Sequence, residues 1–218
     1  MVATQLSSVE RCRFLALGDS YTIGEGVAAD ERWPAQLARR LRARGVAVDD
    51  PEFIARTGWT TDELAAAIDA AHLSPPYALV TLLIGVNNQY RGRDVANYRD
   101  EFSTLLDRAI ILAGDPTRVI VVSIPDWGVT VFASEQARDT NQVGAEIDAY
   151  NAAALASSNA RGVRFVDVTS LSREAGDASA MLVEDGLHPS AAQYALWSQE
   201  ILPATAQALG LRADQTRT

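Results

Sequence analysis

Near the start of the chain an apolar run, Phe14 to Leu17, stops at Gly18-Asp19-Ser20-Tyr21, and near its end lies Asp185-Gly186-Leu187-His188. These two segments hold a serine, a histidine and an aspartate, the side chains from which a hydrolytic nucleophile is assembled. A glycine at a strand end lets the backbone turn sharply, and a serine placed there is lifted out of the sheet into a cleft. Only two histidines, His72 and His188, are present to activate it. Asp185 precedes His188 by three residues, a spacing that puts a carboxylate under the imidazole, where it can fix the tautomer and stabilise the imidazolium. Each piece alone has a plainer reading, because Gly-Asp-Ser is common turn chemistry and Asp-Gly is a turn that leaves a solvated histidine.

Two other segments carry the donors an acyl-transfer site needs. Gly85-Val86-Asn87-Asn88 follows an apolar run from Ala78 to Ile84, and the Asn87 amide can donate to a developing oxyanion. In Arg56-Thr57-Gly58-Trp59, the glycine permits close backbone approach, and its N–H can point into a cleft. Asn87 as a turn residue, and Gly58 as a spacer before Thr60 and Thr61, are the alternatives.

The elements that would position these residues are legible from the hydrophobic pattern. Short apolar runs read as strands over Arg13–Leu17, Glu52–Ala55, Ala78–Ile84, Arg118–Ile124 and Val163–Val168. Helical patterns lie between and after them, over Pro34–Arg44, Thr61–Ala71, Val95–Ala113, Val143–Ser158 and Ser190–Leu209. Strands alternating with helices predict a parallel sheet covered on both faces, with reactive residues gathered at the carboxyl ends of strands. Every segment singled out above falls at such an end.

Composition narrows the function. The chain has 218 residues, 48% of them hydrophobic, and no Pro-rich or Gly/Ser-rich linker, which predicts one domain over 1–218. A formal net charge of -9 supplies no cationic excess for a nucleic-acid backbone. All 19 basic residues are arginine, so a Schiff base, a Ser-Lys dyad and a P-loop lysine are excluded. One cysteine, Cys12, forbids an internal disulfide, and one cysteine with two distant histidines gives no zinc cluster. No run reaches signal-peptide or membrane-span length, so a cytoplasmic location is the expectation. The sequence specifies no oligomeric state.

Taken together and in this order, Gly18-Asp19-Ser20, Gly58, Gly85-Val86-Asn87 and Asp185-Gly186-Leu187-His188 resemble the four sequence blocks of the SGNH (GDSL) hydrolases. The resemblance implies a three-layer α/β/α sandwich with a five-stranded parallel sheet of flavodoxin-like topology. It implies Ser20 as nucleophile, His188 as general base and acid, and Asp185 as its orienter. The oxyanion hole would combine the Ser20 N–H, the Gly58 N–H and the Asn87 amide. No cofactor or metal is called for, and the partner is a small-molecule ester. Two departures stand out: Tyr21 replaces the usual leucine or isoleucine, and Asn88 the usual aspartate, which leaves the bracing of the Asn87 segment to be found.

The segment from Pro125 to Phe132 is apolar for a loop, so Trp127 and Phe132 are candidates for an acyl-binding wall, with scaffold packing the alternative. Tyr90, Arg91 and Arg93 are expected at the same cleft mouth, the arginines either serving an anionic or sugar-bearing leaving group or pairing with Asp94 or Asp100. Short acyl or acetyl esters are the expected substrates, with a lysophospholipase or acyl thioesterase as alternatives. A non-catalytic flavodoxin-like binding domain would share the topology, but Gly24-Glu25-Gly26 puts a carboxylate where a flavin phosphate would sit.

Overall fold

Five short strands, β1 (Phe14–Gly18), β2 (Glu52–Ala55), β3 (Leu79–Leu83), β4 (Val119–Val122) and β5 (Arg164–Val166), form one all-parallel sheet in the order β2-β1-β3-β4-β5. The computed structural model describes residues 11–211. The outermost parts of the expected 1–218 domain, and the expectation of no leader at the start of the chain, therefore lie outside the described residues. β1, β3 and β4 are buried along their whole length, as their unbroken apolar sequences require of strands covered on both faces.

Nine helices accompany the strands among the described residues: α1 (Ser20–Ile23), α2 (Trp33–Ala43), α3 (Thr61–Ala70), α4 (Val86–Tyr90), α5 (Val95–Ala113), α6 (Val131–Glu135), α7 (Thr140–Ala160), α8 (Thr169–Ala175) and α9 (Ala191–Ala208). Parallel strands require long crossovers, and the long helices supply them. α2 packs on α9, while α5 packs on α3 and α7. The result is a three-layer α/β/α sandwich.

The five long helices match the sequence pattern to within a few residues, and their ends have local causes. α7 starts at Thr140 and not Val143 because the Asp139 carboxylate accepts from the N–H groups of Asn141 and Gln142 at 3.0 and 3.2 Å. β4 begins later than expected because Pro116–Arg118 forms a 3-10 turn capped by Asp115, whose carboxylate accepts from Thr117 N at 2.8 Å. β5 ends early because the Val168 and Thr169 N–H groups donate to Ser123 Oγ at 2.8 and 3.1 Å. The four short helices were not expected; at four to seven residues they are too brief to show a 3.6-residue period.

Register fixes where the sheet delivers its loops. Gly18 of β1 stands beside Ala55 of β2 and Leu83 of β3 on a single rung. That rung lies at the point where successive crossovers leave for opposite faces, the position where parallel sheets open a crevice. Gly18 is also sterically required: a Cβ there would overlap Thr22 Oγ1 and the Leu83 carbonyl oxygen. Gly18→Ala should therefore lose about 1–3 kcal/mol of unfolding free energy through overpacking. Urea unfolding with an unchanged slope reads this directly, and a variant as stable as the parent would show that the rung can spread.

Candidate active site

The turn out of β1 is built from its own sequence. Asp19 is the N-cap of α1, and its Oδ1 accepts the Tyr21 N–H at 3.0 Å. Ser20 is thereby held as the first helical residue, a position whose N–H has no intrahelical acceptor. Its side chain meets His188 from the far end of the chain, with Nε2 and Ser20 Oγ 2.9 Å apart. His188 Nδ1 lies 2.6 Å from Asp185 Oδ2. With the ring proton on Nδ1 and donated to Asp185, Nε2 is left to accept from the Ser20 hydroxyl.

Asp185 orients the histidine twice over, since its Oδ1 also accepts the N–H groups of Leu187 and His188 at 2.8 and 2.9 Å. Partial burial would raise this carboxyl. The ring hydrogen bond from His188 and the two N–H groups outweigh that and hold it below the ordinary carboxylate range. Tyr21, the departure from the usual aliphatic residue, packs beside the relay: its ring centroid is 5.5 Å from the imidazole and 6.2 Å from the Trp197 ring. The spacing to Asp185 singled out His188 in the sequence, but Asp69 precedes His72 by the same three residues, so spacing does not by itself choose between them. Asp69 instead pairs with Arg108 at 2.8 Å, and His72 is exposed beyond the end of α3.

The donor positions converge on the same place. Gly58 adopts φ +85°, a left-handed conformation open to glycine, and its N–H has no protein acceptor among the described residues. Asn87 Nδ2 donates to the Trp59 carbonyl at 2.9 Å, which fixes the amide and leaves its second N–H free. The bracing that an aspartate would have given comes from Asn88. Fully buried, it accepts the Thr61 N–H at 3.1 Å and donates to Thr61 Oγ1 at 2.6 Å, tying α4 to the start of α3.

Ser20, Gly58, Asn87 and His188 line one cleft of about 220 Å³, together with Tyr90, Trp127 and Phe132. Asp185 reaches it through His188. The segment expected as a loop from Pro125 to Phe132 is a 3-10 turn, Trp127–Val129, followed by α6. Trp127 is only 2% exposed, and its Nε1–H donates to Gln89 Oε1 at 2.8 Å, so it is at once wall and scaffold. Arg91 and Arg93 lie near the mouth but are spoken for, and by partners other than Asp94 or Asp100. Arg91 donates to the Gly58 carbonyl and pairs with Glu63, and Arg93 pairs with Asp62 and Glu101. Among the described residues no cluster of three metal-ligating side chains exists, and no helix is long and apolar enough to cross a membrane.

A family model, that of the GDSL-like lipase/acylhydrolase family, matches residues 16–196. The chain belongs to this family. GDSL-like hydrolases of known structure share the sandwich. TesA aligns over 90% of this chain and 99% of its own with a TM-score of 0.72 at 20% identity. A lipase/acylhydrolase from Enterococcus faecalis aligns over 92% and 98%, again with a TM-score of 0.72 and 20% identity. The psychrotrophic esterase EstA from Pseudoalteromonas sp. aligns over 90% and 98%, with a TM-score of 0.70 and 18% identity. Compared with curated protein sequences, the chain matches none.

The sequence pattern gave Asp19 no role of its own, left the role of Asn88 open and did not mark Gln89, the last two of which have no local side-chain partner that a motif would show. Asp19 is fully buried with Oδ2 unpartnered. Burial pushes its carboxyl up to about 7, against the downward pull of the Tyr21 N–H and its own. Because the folded value lies above the unfolded one, stability should fall as pH rises from the ordinary carboxylate range toward 7 and then level off. Asp19→Asn keeps an oxygen for the Tyr21 N–H and has no proton to lose, so its thermal midpoint should gain on the parent's steadily over that window. Parallel midpoint curves for the two proteins would mean that Asp19 is ionised throughout.

Proposed function

We propose that this GDSL-like hydrolase is a serine esterase that cleaves carboxylic esters of short acyl groups through an acyl-enzyme formed on Ser20. The observation that carries the reading is the unbroken relay from Asp185 through His188 to Ser20, at 2.6 and 2.9 Å, opening into the cleft that Asn87 and Gly58 share. Ser20 Oγ attacks the ester carbonyl while its proton passes to His188 Nε2. The imidazolium so formed faces a carboxylate held in its ionised form, which stabilises it without taking its proton. Negative charge develops on the former carbonyl oxygen, where the Ser20 N–H, the Gly58 N–H and the free Asn87 N–H serve as donors. The C–O bond then breaks, His188 returns the proton to the departing alkoxide, and water repeats the sequence on the acyl-enzyme.

Short acyl chains suit the cleft. At about 220 Å³ it falls below the roughly 300–1,000 Å³ of pockets that enclose drug-sized ligands. Trp127, locked by Gln89, closes it on one side. Organophosphonates are the probe of choice for the nucleophile, since the neighbour EstA was solved inhibited by monoethylphosphonate.

A fluorophosphonate should label the parent protein and leave Ser20→Ala unlabelled, and Ser20→Ala should also lose hydrolysis of para-nitrophenyl acetate and butyrate. His188→Ala should behave alike, whereas His72→Ala should retain the parent rate. Labelling or turnover in Ser20→Ala would overturn the serine mechanism. Acyl thioesters and lysophospholipids belong in the same assay, because a preference for either would move the protein to another substrate class on the same triad.

The supporting groups should separate kinetically. Asn87→Ala should lower kcat by roughly 10² to 10³ with little change in KM, as an interaction that strengthens only when charge develops. Asp185→Asn should lower it by up to about 10⁴, by favouring the wrong imidazole tautomer. If Asn87→Ala moved KM alone, its amide would be a substrate-positioning group.

A further inference from the structure

A cation with no anion stacks on the aromatic residues that line the cleft. Arg138 Cζ lies 5.5 Å from the centroid of the Trp127 ring and 5.8 Å from that of Tyr90, and both rings line the cleft that holds Ser20 and His188. Beyond this stacking its side chain makes no hydrogen bond or ion pair with any described residue. Acidic residues near it in the sequence are engaged elsewhere or unpaired with it. Asp139 caps α7, and Glu146 accepts from Gln89 and Gln142 at 2.6 and 2.8 Å. Glu135, three residues earlier, forms no ion pair with it.

The backbone that presents Arg138 is constrained. α6 ends with the Ala137 N–H donating to the Ser134 carbonyl at 3.1 Å and the Arg138 N–H to the Ala133 carbonyl at 3.1 Å, the double closure in which the left-handed residue is usually glycine. Here that residue is Ala137, with φ 49°, the one non-glycine positive φ among the described residues. A strained, doubly bonded turn thus delivers a guanidinium onto the aromatic wall. Strain of this kind persists where surrounding structure enforces it, and it concentrates at binding sites. A guanidinium lying over aromatic faces keeps its edge N–H donors free for a planar oxyanion.

We propose that Arg138 is a specificity-determining residue that binds an anionic group, carboxylate or phosphate, carried by the ester substrate and set off from the scissile carbonyl by the Tyr90 and Trp127 rings. This rests on the esterase reading above. On a chain of net charge -9 the bulk field repels an anionic ester, so discrimination in its favour has to come from a local cation at short range.

Two matched pairs of esters test the assignment and locate the anion. Para-nitrophenyl hemisuccinate against para-nitrophenyl butyrate places the charge on the acyl side. Para-acetoxybenzoate against para-acetoxybenzamide places it on the leaving group. In the parent enzyme kcat/KM should favour the anionic member of one pair, and added salt should erode the preference. Arg138→Gln should lower the anionic-to-neutral ratio in that pair about tenfold, the equivalent of one charge-assisted hydrogen bond. Arg138→Glu should lower it further, and Arg138→Lys should restore part of it. No anionic preference in either pair, or a ratio unmoved by Arg138→Gln, overturns the proposal while leaving the esterase intact. Failure of the parent to hydrolyse all four esters in a Ser20-dependent way would instead remove the esterase reading, and the proposal with it.

Discussion

The rung shared by Ala55, Gly18 and Leu83 is the constraint on which the site depends. Parallel strands held in register end together, so the three chains that leave them start from neighbouring points. Ser20, Gly58 and Asn87 follow those points by two, three and four residues. A slip in register would move every one of them, because strand side chains alternate faces with a period of two. The glycine on that rung admits Thr22 and the β3 backbone where a side chain would collide. Sheet geometry is therefore already site geometry.

Around this frame the two aspartates of the motifs live in opposite environments. Asp19 is buried without a cation, and desolvation drives its carboxyl up. Asp185 is partly exposed and receives three hydrogen bonds at 2.6, 2.8 and 2.9 Å, which keep it low. The first suits a neutral group that caps a turn. The second suits a fixed negative charge beside an imidazole. One residue type takes two roles because the fold gives each a different dielectric and a different set of donors.

The cleft is bounded by side chains that are themselves tied down. Gln89 joins Trp127 to Glu146, so the aromatic wall, α4 and α7 hold one another. Asn88 does the same between α4 and α3. Asn87 thus sits on a helix of only five residues that is clamped from two sides. This clamping compensates for a helix too short to be stable alone.

Much of this was legible in the chain. Apolar runs marked the strands, 3.6-residue patterns marked the five long helices, and the GDS and Gly-Val-Asn segments marked the ends of β1 and β3, because turn chemistry and hydrophobic period are local properties of sequence. The Asp-x-x-His segment, expected at a strand end, instead follows α8 and leads into α9. Pairings between distant residues are not local, and the residue pattern by itself does not show them. Asp69 stands to His72 as Asp185 stands to His188, and only the fold gave one carboxylate to Arg108 and carried the other's histidine across 168 residues to Ser20. Arg91 and Arg93 looked available at the cleft mouth until α3 supplied Glu63 and Asp62. Asn88 found its partner 27 residues earlier in the chain. Sequence alone determined which chemistry was present and that Ser20, Gly58 and Asn87 leave strands; the tertiary structure decided which groups meet, because a contact between distant residues depends on register and packing that no local pattern encodes.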